Sequence, residues 1–93
     1  MRIVGEIPHS TYKITIFQMN NKFTIQFEDG EQSQLYKVPD VAFLKNFNDI
    51  KQLVDGAFLN EIDKIFIFMA TAKKNAIDQI YGRSIENEFD NII

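Results

Sequence analysis

The chain has 93 residues and no cysteine. Its length predicts one domain spanning residues 1–93, and the lack of cysteine excludes disulfides, thiolate zinc sites and cysteine nucleophiles. The formal net charge is −3 and the ten basic residues are scattered, whereas nucleic-acid binders usually carry clustered basic residues. We therefore do not expect nucleic acid as a partner.

The start of the chain lacks the apolar core of a signal peptide. No apolar run approaches the length that is needed to span a bilayer. We expect a cytoplasmic protein that does not enter a membrane.

Arg2–Ile7 is a candidate first strand, which Pro8 ends because proline cannot donate to a sheet ladder. A β-hairpin follows, in which Asn20-Asn21 joins two alternating runs and supplies the positive φ that a two-residue turn requires. This turn fixes the register of the two strands. The predicted pairs are Ile14 with Phe27, Ile16 with Ile25, Gln18 with Phe23, Lys13 with Glu28 and Thr15 with Gln26.

A second turn at Asp29-Gly30 leads into a third hairpin strand at about residues 32–38. Its register stays open, because a two-residue turn places Tyr36 beside Phe23 and a three-residue loop places Leu35 beside Ile25. Short helical turns over residues 41–47 and up to Val54 complete the connection, with Asp40 and Asn48 or Asp49 as candidate caps.

The longest helical pattern runs from Asp55 to Tyr81 and ends before Gly82, a natural stop. Such a helix is about 40 Å long, much longer than a seven-residue strand. We therefore expect it to overhang the sheet at residues 72–74, or to bend there, because Lys73 interrupts the apolar stripe.

The predicted fold class is α+β, with a three- to four-stranded antiparallel meander packed on this long C-terminal helix and short connecting helices. The expected core combines alternating strand residues with the apolar helical stripe. Its members are Ile14, Ile16, Phe23, Ile25, Phe27, Phe58, Ile62, Ile65, Phe66 and Met69.

Within the apolar run from Ile65 to Ala70, Ile67 and Phe68 lie off the core stripe of the helix. Three interpretations remain open. These two side chains form an interface with a partner, or other parts of the same chain cover them, or Lys64–Met69 is a buried strand rather than a helix.

Phe17 and Met19 fall on the opposite face of the hairpin from its core residues. They are either scattered surface hydrophobes or a further contact surface. An aromatic sheet face can also stack nucleic-acid bases, which is a remote alternative for a chain with few basic neighbours.

His9 is the single histidine, and Ser10 follows it. Together they define an alternative ligand or hydrolase site, although no glycine-framed nucleophile turn surrounds Ser10. Glu28, Asp29 and Glu31 are interpreted as solvated turn residues. No calcium loop, phosphate loop or metal-ligand spacing occurs, so the sequence predicts no catalytic residue, no metal ligand and no cofactor.

The segments IVGEIPH (residues 3–9), KITIF (13–17) and NNKF (20–23) resemble a group of small bacterial proteins of unassigned activity. The resemblance continues through Tyr36-Lys37 and Phe58-Leu59 and fades past Met69. It implies a bacterial cytoplasmic protein and supplies no catalytic residue.

The hypothesis that follows is a non-catalytic interaction module that forms a homodimer or binds a small protein partner. Ile67 and Phe68 are its candidate interface, with Phe17 and Met19 as further candidates. The alternative is a small ligand-binding protein or enzyme with a site near His9.

Overall fold

The computed structural model describes residues 1–92, with side chains for residues 1–83. An antiparallel sheet of order β1-β2-β3-β4 precedes two helices, which confirms the α+β fold. The candidate N-terminal strand Arg2–Ile7 is part of this sheet, so the sheet has four strands rather than three. The elements are β1 (Arg2–Ile7), β2 (Lys13–Met19), β3 (Lys22–Glu28), β4 (Ser33–Lys37), α1 (Phe47–Leu53) and α2 (Gly56–Ile92).

The β2–β3 hairpin has the predicted turn and register. Asn20 and Asn21 adopt φ values of 51° and 66°, as a two-residue turn that matches the strand twist requires. All five predicted residue pairs are present. Asparagine tolerates this left-handed backbone, so two adjacent residues determine which face of each strand enters the core.

The β3–β4 connection differs from both predicted registers. Glu28 pairs with Ser33 across a four-residue loop, so Tyr36 lies opposite Ile25 and Leu35 lies on the other face. The Asp29 carboxylate widens the loop by accepting hydrogen bonds from the backbone amides of residues 31 and 32, at 3.1 and 2.7 Å. The bond from the amide of residue 32 is the main cause of a lowered Asp29 pKa.

Gly5 allows α1 to approach the sheet. The β1 register shifts between Ile3 and Gly5, and Gly5 then lies opposite Ile16. A Cβ atom at Gly5 would overlap the ring of Phe47 at the start of α1. Because the position carries no side chain, the aromatic ring can pack directly on the strand backbone.

α1 is the second of the two predicted helical turns, and it begins two to three residues earlier than the candidate caps Asn48 and Asp49 imply. Its N-cap is Asn46, whose side chain accepts a hydrogen bond from the Asp49 backbone amide. In turn, the Asp49 carboxylate accepts a hydrogen bond from the Asn46 backbone amide, which completes a capping box. The residues before it form turns rather than a helix. There the Asp40 carboxylate accepts a hydrogen bond from Lys45, which lowers the pKa of Asp40.

The chain divides into two compact units, Met1–Ile62 and Asp63–Ile93, and the single-domain expectation stays a prediction. In the first unit, the rings of Phe27, Tyr36 and Phe58 meet edge to face at centroid distances of 5.3 to 5.9 Å. This cluster joins the first turn of α2 to β3 and β4. The fully buried aliphatic side chains of this unit are Ile14, Ile16, Ile25, Ile50 and Ile62.

Most of the predicted core is correct, and the exceptions lie mainly on α2. Val38, Leu44 and Ile50 are additional buried residues. Phe58 and Met69 are half-buried. Ile65 was predicted as a core residue but is exposed, because it projects about 100° away from buried Phe66 on the helix.

α2 begins where predicted but does not end there. Asp55 is its cap, since its carboxylate accepts a hydrogen bond from the Phe58 amide at 2.9 Å. The helix continues through Gly82 to Ile92. Gly82 does not adopt the positive φ of a helix-terminating glycine, so the predicted stop is wrong. Lys64–Met69 is helical, which removes the strand interpretation.

Candidate interaction surface

The part of α2 that follows the first unit exposes an unusual number of large apolar side chains. Ile67 is 66% exposed and Phe68 is 72% exposed. Ile77, Ile80 and Tyr81 are each more than half exposed. Every described side chain from residue 67 to residue 83 is exposed except Met69, which is half-buried. Exposed large apolar side chains of this kind make this part of α2 a candidate interaction surface.

These side chains do not share one side of the helix. At about 100° per residue, Ile67, Ile77, Ile80 and Tyr81 fall within an arc of about 140°. We call these four residues the Ile80 face. Phe68 projects about 100° away from Ile67, outside this arc, so one flat contact cannot cover all five side chains.

The sequence indicated part of this surface. Ile67 lies off the core stripe, and the helix is expected to overhang the sheet near Lys73. Tyr81 was missed as a surface residue. The signal was its position one helical turn after Ile77, on the same side of the helix.

Lys73 lies inside the arc of the Ile80 face and is exposed. Lys74 forms an ion pair with Asp78, one turn later, at 2.9 Å. Both members of that pair are largely exposed to solvent, so it contributes little to stability. Lys74 also falls within the arc, so the Ile80 face carries two lysines among its apolar side chains. Any partner of this face would have to accommodate their charge.

Phe17 and Met19 lie on the outer face of the sheet, opposite the core. Phe17 is half-buried between Ile3 and Thr24 on the neighbouring strands. Met19 is exposed and lines a shallow cleft of about 500 Å³. The structure does not bring Phe17 into that cleft. Its lining residues are Met1, Met19, Asn20, Lys22, Phe23, Thr24, Leu35, Lys37 and Val38.

His9 stabilises the loop between β1 and β2. Its Nδ1 atom accepts hydrogen bonds from the backbone amides of Thr11 and Tyr12, both at 3.1 Å. Its ring stacks on Tyr12 with centroids 5.1 Å apart. Nδ1 is thus engaged by the backbone, and both His9 and Ser10 are exposed to solvent. This geometry gives His9 a role in the loop, and the ligand site there stays a prediction.

Among the described residues, no three His, Cys, Asp or Glu side chains are grouped so that they could hold a metal ion. Within the residues that the structure describes, no helix is both long enough and apolar enough to cross a membrane.

Comparison with protein-family models, curated proteins and solved structures finds no match to this chain. The resemblance to small bacterial proteins stays a prediction.

Proposed function

We propose that this chain is a non-catalytic module that self-associates, with α2 of one copy packing on α2 of a second copy. The observation that carries the proposal is the exposure of five large apolar side chains within residues 67–81. Burying each aliphatic or aromatic side chain contributes roughly 1.5–3 kcal/mol before the costs of association are subtracted.

The second unit consists of a single helix, from Asp63 onward, with no other element to pack against inside that unit. In water, a helix gains most of its stability from burying an apolar face rather than from intrinsic propensity. A partner that covers the Ile80 face supplies that burial.

A second copy of the chain is the simplest partner. Two-fold homodimers are the commonest oligomers of soluble proteins, and they pair the same patch on both subunits. The Ile80 face suits such a pairing because its apolar side chains are distributed along more than three helical turns. Two of these faces can therefore lie side by side over a long contact.

The test compares two double variants by light scattering after size-exclusion chromatography. Ile77→Asp with Ile80→Asp places two charges within the Ile80 face, and Asn75→Asp with Gln79→Asp places the same charges on the opposite side of the helix. We expect twice the 10.8 kDa mass of one chain for the wild type and the control. The Ile77/Ile80 variant should have the mass of one chain.

Circular dichroism accompanies the mass measurement, because a folded monomer must keep the strand signal of the sheet. An Ile77/Ile80 variant that keeps the wild-type dimer mass would contradict the proposed contact. A wild type that stays monomeric at high concentration would remove self-association altogether.

A further inference from the structure

We infer that the outer face of the sheet holds a binding site for an aliphatic carboxylate, the chemical class of a medium-chain fatty acid. The site is the cleft of about 500 Å³ that Met19 lines, and this volume is within the range of small-molecule sites. The inference is independent of the proposed self-association, because it uses only residues of the first unit. It follows from the shape, the charge and the apolar wall of the cleft.

A short side chain among longer ones creates the cleft. Thr24 lies on the outer face of β3, since it alternates with buried Phe23 and Ile25. Its cross-strand neighbours are Phe17 on β2 and Lys37 on β4. Because the threonine side chain is shorter than both neighbours, the sheet surface is depressed at this position.

Two lysines give the cleft a positive charge. Lys37 pairs directly with Thr24, and Lys22 lies two residues before Thr24 on the same face of β3. Diagonal neighbours of this kind in a sheet are about 7–8 Å apart, within reach of long side chains, so both ammonium groups can contact one anion. Among the described residues, those that line the cleft include no acidic side chain.

Asp40 is a carboxylate that competes for this pair of lysines. It interacts electrostatically with Lys22 but accepts a hydrogen bond from Lys45, with which it forms an ion pair. Within the part of the chain that the structure describes, the ammonium groups of Lys22 and Lys37 take part in no hydrogen bond or ion pair. Both lysines are exposed, so an anion from solution can reach them.

Apolar side chains complete the wall and favour an aliphatic ligand. Met19 lies opposite Lys22, and Leu35 lies two residues before Lys37 on the same face of β4. Both apolar side chains are more than half exposed, so a bound hydrocarbon chain removes their surface from water. Phe23 also lines the cleft but is buried, which leaves no open ring there on which a nucleotide base could stack.

Decanoate, used below its critical micelle concentration, is the probe, and the amide chemical shifts of the isotope-labelled full chain report where it binds. We expect saturable shifts around Thr24. Lys22→Gln with Lys37→Gln should weaken binding about five- to tenfold, as expected for the loss of two partly solvated ion pairs. Lys13→Gln with Lys51→Gln removes the same charge from exposed lysines outside the cleft and should leave binding unchanged.

Decanol tests the role of the carboxylate, because it has the same hydrocarbon chain without the charge. We expect it to bind several-fold more weakly than decanoate. Equal binding of the two compounds, equal binding of decanoate to both lysine variants, or shifts centred on α2 would overturn the site, as would the absence of saturable shifts. Binding to vesicles of anionic phospholipid without binding to decanoate would identify a membrane contact instead and would also overturn it.

The mass of each protein is measured on the same samples. Both lysine variants should keep the wild-type mass, because α2 residues beyond the first unit are unchanged in them. A failed decanoate titration would therefore leave self-association intact, and a wild type with the mass of one chain would leave the carboxylate site intact.

Discussion

At the scale of residues, Gln34 and Tyr36 determine how the sheet holds the start of α2. The Gln34 side-chain amide donates to the Ile62 carbonyl at 3.1 Å, and the Tyr36 hydroxyl donates to the other end of the same amide. Gln34 is buried, and burial raises the pKa of Tyr36. Each polar atom of the Gln34 side chain therefore has a partner where water cannot supply one.

Replacing Tyr36 with Phe should lower the free energy of unfolding by about 1–3 kcal/mol, because the Gln34 carbonyl oxygen loses its donor while it stays buried. Urea denaturation measures this difference. Tyr81→Phe is the matched control, since Tyr81 is exposed in a single copy of the chain. Measured at a concentration low enough to keep the protein monomeric, it should change stability by no more than about 0.5 kcal/mol. Equal losses in the two variants would mean that the buried hydrogen bond contributes nothing specific.

The two hairpin turns show what residues reveal before a structure is available. Asn20 and Asn21 have a backbone preference that belongs to the residue type, so the β2–β3 register was predictable. Asp29 acts differently, because its carboxylate holds two backbone amides and widens the next loop. A loop held by side-chain hydrogen bonds and a shorter turn are close in free energy. The sequence alone therefore could not decide between them, and the β4 register stayed open.

At the scale of elements, α1 depends on the missing side chain at Gly5. The ring of Phe47 occupies the space into which a Cβ atom would project. The sequence showed Gly5 only as one residue of a candidate strand, because contact between elements distant along the chain leaves no local pattern. Phe47 and its role in anchoring α1 were missed for the same reason.

Gly5→Ala should destabilise the fold by about 1–3 kcal/mol, since the added methyl group forces the Phe47 ring and α1 away from the sheet. Thermal or urea unfolding measures the loss. Gly56→Ala provides the control, because nothing lies within 4 Å of a Cβ atom at that position. A Gly→Ala change at an unstrained position is neutral or stabilises by about 0.4–1 kcal/mol. A neutral Gly5→Ala would show that α1 does not depend on this close approach.

α2 was predictable as a helix and less so in its length. The 3.6-residue pattern correctly located its start at Asp55 and its apolar stripe. Its end was wrong because a glycine inside a helix costs only about 1 kcal/mol relative to alanine, which the surrounding helical turns can outweigh. Gly82 was predicted to end the helix, but in the structure the helix continues through it.

At the scale of the whole molecule, the two units differ in how their apolar side chains are covered. The first unit has a complete core of its own, built from the sheet, α1 and the first turns of α2. In the second unit Phe66 is buried, whereas the large apolar side chains of Ile67, Phe68, Ile77, Ile80 and Tyr81 are exposed. The sequence predicted that Ile67 and Phe68 need a cover, but periodicity could not say whether the same chain supplies it. Both side chains are exposed to solvent, and this exposure is the basis for the proposed second copy.

The central claim is that a second copy covers the exposed part of α2. Sedimentation equilibrium of the unmodified protein, from low micromolar to near-millimolar concentration, tests it most directly. The account predicts a mass that rises to twice the 10.8 kDa of one chain. A mass of one chain at every concentration would contradict it.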